Sequence, residues 1–165
     1  RLPSGHLDYK AGLALTIGSL GWSFGSWLQA RIRLRRDRII TAGTCFVAFG
    51  MAGITVFLTW TGMPLWIGVA AWTLAGCGMG LTVSSTAVAT MALSGPREQG
   101  RNSGALLVAE SIGSSVMTAL TGACYAVLLA EEVPAFGWIF LMLLAASVLA
   151  IAASLRIGPV HDIAG

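Results

Sequence analysis

Glu110 is the residue whose surroundings most call for chemistry. It is the sole charged residue in the apolar stretch Asn102 to Ala130. A charged side chain carried into hydrocarbon costs at least ~2.5 kcal/mol on insertion scales. The carboxyl must therefore face protein or a watery cavity, or hold a proton. Counted from Asn102 at about 1.5 Å per residue, it lies ~12 Å along a helix. At about 100° per residue, Ser103, Glu110, Ser114, Thr121 and Tyr125 share one face, while Ala105, Ala109, Ile112, Val116, Leu120 and Ala123 fall on the far side and suit lipid. Between them runs a strip of small residues, Gly104, Ser111, Ser115, Thr118 and Gly122, suited to the close approach of another helix. Two readings of Glu110 stand side by side: proton coupling or cation binding, and a structural acid hydrogen-bonded to a neighbouring helix.

An earlier stretch repeats the pattern. Gly12, Thr16, Ser19, Ser23 and Ser26 fall on one helical face, with Trp22 at its edge. Trp22 either meets an aromatic or cationic substrate or fills space between helices. The candidate substrate-cavity residues are thus Ser19, Trp22, Ser23, Ser114 and Thr121. Gly76-Cys77-Gly78-Met79-Gly80 neither follows a strand nor opens a βα turn, so it is no dinucleotide fingerprint. Gly76 with Gly80, Gly21 with Gly25, and Gly100 with Gly104 are GxxxG pairs, and close helix packing is the plainer account of them.

The elements that position these residues follow from charge and hydropathy. Of ten basic residues, five sit between Arg31 and Arg38: Arg31, Arg33, Arg35, Arg36 and Arg38. Ala11 to Ala30 before them carries no charge, and neither do the 58 residues from Ile39 to Pro96 after them. Only 10% of the chain is charged and 56% is hydrophobic, against about 25% charged in soluble domains. Lipid is the solvent such a composition suits. A helical span needs about 20 apolar residues, and the sequence divides into five, at roughly 9–30, 39–60, 65–93, 102–130 and 135–155. The expected architecture is an all-α polytopic transmembrane bundle forming one domain over 1–165. Barrel strands are excluded by the length of the runs, and unpaired backbone is costly in lipid.

Alternation then places Arg97, Arg101 and Arg156 on the same side as the Arg31–Arg38 loop, leaving Arg1 and Lys10 opposite. Basic loops stay in the cytoplasm, so the amino end is expected outside and the carboxyl end, with His161 and Asp162, inside. Trp60, Trp66 and Trp138 fall at the outer interface, where amphipathic rings settle. The loop itself has a plain alternative role, fixing topology and touching anionic lipid. Basic residues placed only at the ends of apolar blocks do not suit nucleic acid. Cys45, Cys77 and Cys124 are odd in number and far apart inside apolar segments, which suggests neither a disulfide framework nor a metal site. No cofactor is expected, and nothing assembles a nucleophile, a base and oxyanion donors. The absence of an initiating Met suggests a piece of a longer chain.

With these residues in place, the chain resembles the carboxyl-terminal half of a major facilitator superfamily transporter, in its bacterial drug:proton antiporter branch. Two stretches carry the likeness: Ala11-Gly12-Leu13-Ala14-Leu15 with Gly21-Trp22 and Gly25-Ser26-Trp27, and Arg97-Glu98-Gln99-Gly100 leading through Gly104 to Ala109-Glu110-Ser111-Ile112-Gly113. The resemblance implies proton-coupled efflux of small lipophilic molecules by alternating access, with the first, third and fourth spans lining a central cavity. It also implies a missing amino-terminal bundle, a bacterial inner membrane, and twelve or fourteen helices in all. The chain departs from the family at the basic loop, where Gln29 and Ala30 precede Arg31 and no Gly occurs. Two rivals are a membrane scaffold or assembly subunit without transport, and a membrane enzyme, which would need more acids or histidines than Glu110 alone supplies.

Overall fold

The computed structural model describes residues 5–32, 34–60, 62–131 and 135–158, without the side chains of 5–11, 13 and 14. Arg1, Arg33, Glu132 to Pro134, His161 and Asp162, and the side chain of Lys10, lie outside the described residues. Five helices follow in order: α1 (Gly5–Arg31), α2 (Arg36–Thr59), α3 (Leu65–Ala92), α4 (Gln99–Ala130) and α5 (Ala135–Ser154). Among the described residues, α2, α3, α4 and α5 are long and apolar enough to cross a membrane. With 27 residues α1 has the length, but its many Gly, Ser and Thr positions dilute its apolarity.

Three helix starts moved outward, that of α1 to Gly5 from the expected 9. The helix α4 begins at Gln99 rather than 102, because Pro96 to Glu98 form a turn and Arg101 pairs back to Glu98 at 2.9 Å, one turn away. Similarly, α2 starts at Arg36, inside the basic cluster. The α2–α3 connection turns at Gly62, whose φ of 98° lies in the left-handed region that glycine enters freely.

Packing is dense in one half of the molecule. The helices α1 and α3 run parallel and cross closely: a Cβ at Gly25 would collide with the Cys77 carbonyl and one at Gly80 with that of Trp22, while one at Gly21 would lie 2.5 Å from the Thr73 carbonyl. Against the other side of α3, α2 packs antiparallel through Gly43, Gly50 and Gly78. Small residues let these backbones meet, which is how helices associate where lipid removes the hydrophobic drive. Sparse polar links join the helices. Ser84 Oγ donates to Ser26 Oγ across α1–α3 at 3.1 Å. Ser154 Oγ on α5 donates to Thr41 Oγ1 on α2 at 3.2 Å. The second link lies within the packing of α5, antiparallel, along the outside of α2.

Within the α2–α3 packing, Ser85 is fully buried and its hydroxyl finds no partner among the described residues. A buried hydroxyl without a partner stabilises nothing and retains its desolvation cost. Ser85→Ala should therefore leave stability unchanged or raise it by up to about 1 kcal/mol, read from thermal unfolding in detergent.

This antiparallel succession sorts the ends. Arg31, the α1–α2 connection, Arg97, Arg101 and Arg156 lie at one end of the bundle; Trp60, Trp66 and Trp138, each more than half exposed, lie at the other.

Candidate functional site

The acid sits on the helix least embraced by the rest. Not one described residue of α4 is buried, and its main contacts, with α3 and α5, are sparse. Its half-buried positions are Asn102, Ser103 and Leu106 near one end and Met117, Thr121, Cys124 and Leu128 toward the other. Every residue from 107 to 116 is exposed. Projected at about 100° per residue, Glu110 falls within about 20° of the middle of that half-buried stripe. Its helical phase therefore turns it toward the rest of the bundle, across a stretch where the bundle does not reach it.

Depth follows from the corrected start of α4. Counted from Gln99, Glu110 is about 16 Å along the axis rather than 12, and about 7 Å from the helix midpoint. Its carboxylate has no ion-pair or hydrogen-bond partner among the described residues. The hydrogen bond to a neighbouring helix that a structural role for Glu110 would use is not among those of the described residues.

One turn beyond Glu110 a cleft of about 750 Å³ opens between α4 and α5. Ser114, Thr118, Thr121 and Tyr125 line it from α4, Phe136 and Phe140 from α5. The Tyr125 and Phe136 rings meet tilted, with centroids 6.0 Å apart. The hydroxyls of Thr118 and Thr121 donate to the carbonyls of Ser114 and Met117, at 2.8 and 2.7 Å. Spent as donors, they remain acceptors toward a ligand. The cleft thus offers aromatic faces and hydroxyl oxygens, which suits a lipophilic molecule carrying a donor or a cationic centre.

The other candidates lie elsewhere. Ser19 and Trp22 line a groove of about 250 Å³ between α1 and α3, together with Trp72 and Met79. The Ser19 hydroxyl donates to the Leu15 carbonyl at 2.9 Å. Ser23 is exposed and lines neither cleft, and Ser26 is engaged with Ser84. The structure thus brings Ser114 and Thr121 together and sets Ser19 and Trp22 apart from them. Phe136 and Phe140 escape sequence reasoning because α5 is apolar on every side, so no face of it stands out. Their spacing of one helical turn was the available signal.

The small-residue strip of α4 does not behave as expected. A Cβ at Gly100, Gly104, Gly113 or Gly122 would meet nothing within 4 Å, so no helix described here approaches them. Gly21 with Gly25 and Gly76 with Gly80 do sit at a tight crossing.

In the basic cluster, Arg31 stacks over the Trp27 ring at 5.0 Å. Arg36 donates to the Gln29 side chain at 2.7 Å, and Arg35 grips Asp37 through two bonds of 3.1 and 3.0 Å. Arg38 is exposed. The cluster is thus more than a solvated run of charge: Arg36 ties the end of α1 to the start of α2, while Arg31 and Arg35 are held within their own segments. All three cysteines are free.

No protein-family model, curated protein or solved structure matches the chain.

Proposed function

We propose that this chain is part of a secondary active transporter of the major facilitator kind, which exports small lipophilic or drug-like molecules in exchange for protons by alternating access. The observation that supports it best is Glu110: a carboxyl near the middle of a long apolar helix, turned toward an uncovered stretch and one turn from an aromatic, hydroxyl-lined cleft. Intramembrane acids facing cavities are the usual carriers of coupled protons. In this reading α1 also crosses the membrane, giving five spans. The basic end faces the cytoplasm of a bacterium by the positive-inside rule. An amino-terminal bundle belongs opposite the open faces of α4 and α1, and the substrate moves between the two bundles.

A second reading draws on the exposure of α4. A membrane scaffold or assembly subunit would use that helix as a seat for partner helices, without transport.

The test is proton-driven flux of a lipophilic cationic dye in vesicles holding the complete gene product. Wild type should transport, and Ser114→Trp, which fills the cleft, should slow flux about ten-fold or more, as loss of one well-packed ligand contact would (about 1.4 kcal/mol). Absence of dye flux in wild type, with the protein folded and inserted, would favour the scaffold.

A further inference from the structure

We infer that the cleft between the start of α2 and the end of α5 binds the phosphodiester headgroup of an anionic phospholipid. The cleft measures about 530 Å³, and three of its lining residues are charged: Arg35, Asp37 and Arg38. Arg35 and Asp37 form a partly exposed ion pair at 3.0 Å, whereas the Arg38 side chain is exposed and forms no bond with the described residues. Among the described lining residues, two cations and one anion leave one positive charge, matching the single negative charge of a phosphodiester.

Donor supply points to the same group. Thr41 Oγ1 gives its proton to the Asp37 carbonyl at 3.0 Å, and Ser154 Oγ gives its own to Thr41 or to the Ile151 carbonyl. Neither hydroxyl has a proton left for a ligand. The strong donors left are the Arg38 guanidinium and, on Arg35, Nη1 and the second N–H of Nη2, its other N–H and Nε holding Asp37. Such a site favours an acceptor-only group and offers little to an ammonium or a choline. Arg geometry suits a phosphate in particular.

The apolar part of the wall separates a lipid from a free ion. Ala42, Cys45 and Leu155 line the same cleft, and Leu155 is 70% exposed just past the carboxyl end of α5. Charged residues gathered at the ends of membrane-length helices, with apolar surface continuing below, suit a headgroup above and acyl chains alongside. The inference rests on α2 and α5 crossing a membrane and is independent of whether the protein transports anything.

Native mass spectrometry of the intact protein, delipidated and then offered equal phosphatidylglycerol and phosphatidylcholine, tests it. Wild type should retain one phosphatidylglycerol in preference to phosphatidylcholine. Arg38→Gln should lower that retention about five-fold, the scale of one basic side chain's attraction to anionic lipid. Cys45→Trp, which fills the cleft without changing charge, should also lower it. Arg97→Gln, at the same end but outside the cleft, should not. Equal retention of both lipids by wild type would overturn the assignment, as would full retention by Arg38→Gln and Cys45→Trp. Displacement of the lipid by millimolar inorganic phosphate would reassign the site to a free anion. Retention of neither lipid, with the chain staying in the aqueous phase, would sink the membrane reading as well.

Discussion

Glu110→Gln should abolish proton-driven dye flux while leaving the protein folded and inserted. Gln keeps the size and hydrogen-bonding capacity of the side chain but cannot release a proton. If Glu110 carries the coupled proton, the uphill step disappears, and flux falls to the leak of protein-free vesicles. The placement argues for a large effect. Glu110 lies on a stretch of α4 where residues 107–116 are all exposed, so removing its charge breaks no packing. An uncompensated acid near mid-membrane costs about 2.5–3.5 kcal/mol, so Gln should insert at least as well as Glu. Stability and flux should therefore separate: unchanged or higher melting temperature, with transport lost. Unimpaired uphill flux in Glu110→Gln would make the acid structural and move coupling to another part of the protein. Equilibrium exchange of dye without a proton gradient gives a finer check. It should survive in Glu110→Gln, because substrate binding in the Ser114–Thr121 cleft does not require the carboxyl.

The second large effect concerns glycines that look alike in sequence and are opposite in consequence. Gly80→Ala and Gly25→Ala should each destabilise the bundle by about 1–3 kcal/mol or more, the usual cost of overpacking. The new methyl of each would strike backbone, the Trp22 carbonyl or the Cys77 carbonyl. A carbonyl fixed in a helix cannot swing aside as a side-chain tip can, so the whole α1–α3 crossing must open. The crossing also carries the Ser26–Ser84 hydrogen bond, which would lengthen with it. Gly104→Ala and Gly122→Ala should do the reverse. Nothing lies within 4 Å of the added methyl at either position, and Ala is favoured over Gly in a helix interior by up to about 1 kcal/mol. Unfolding of the four variants in mixed micelles separates the two pairs. Equal destabilisation in all four would mean that another helix seats on α4 in the folded protein, as both functional readings allow. Destabilisation of neither pair would contradict the tight crossing.

Together these predictions mark the boundary between what residues declare locally and what they acquire from distant neighbours. Helix number and type were legible because a membrane-length helix is a local object. About 20 apolar residues close all their own hydrogen bonds, and Gly62, Pro64 and Pro96 interrupt the pattern where the helices stop. The gathering of Arg31, Arg35, Arg36, Arg38, Arg97, Arg101 and Arg156 at one end was legible too, since alternation alone fixes it once the helices are counted. Helix starts were less so. By hydropathy alone α4 starts near 102, yet the pairing of Arg101 with Glu98 lets it begin at Gln99, and that shift carries Glu110 nearer the helix midpoint.

Pairing between helices was not legible, because it depends on shapes that meet across tens of residues. The GxxxG at Gly76 and the one at Gly100 are equivalent to a reader of sequence. Only the crossing of α1 over α3 fills the first, and only the shallow contact of α4 leaves the second bare. The spacing of Ser103, Glu110, Ser114, Thr121 and Tyr125 puts them on one face of α4. That this face meets the bundle at both ends and stands clear of it around Glu110 is a property of where α3 and α5 lie. Likewise Arg38 and Ser154, 116 positions apart, share a cleft only because α5 returns along α2. The sequence by itself determined which segments become helices and which end carries the charge, through backbone hydrogen bonding and transfer from water, which act over one or two turns. The tertiary structure alone decided which small residues touch, where the gaps open and which charges gather at a cleft, through contacts whose short range makes them depend on every other helix in place.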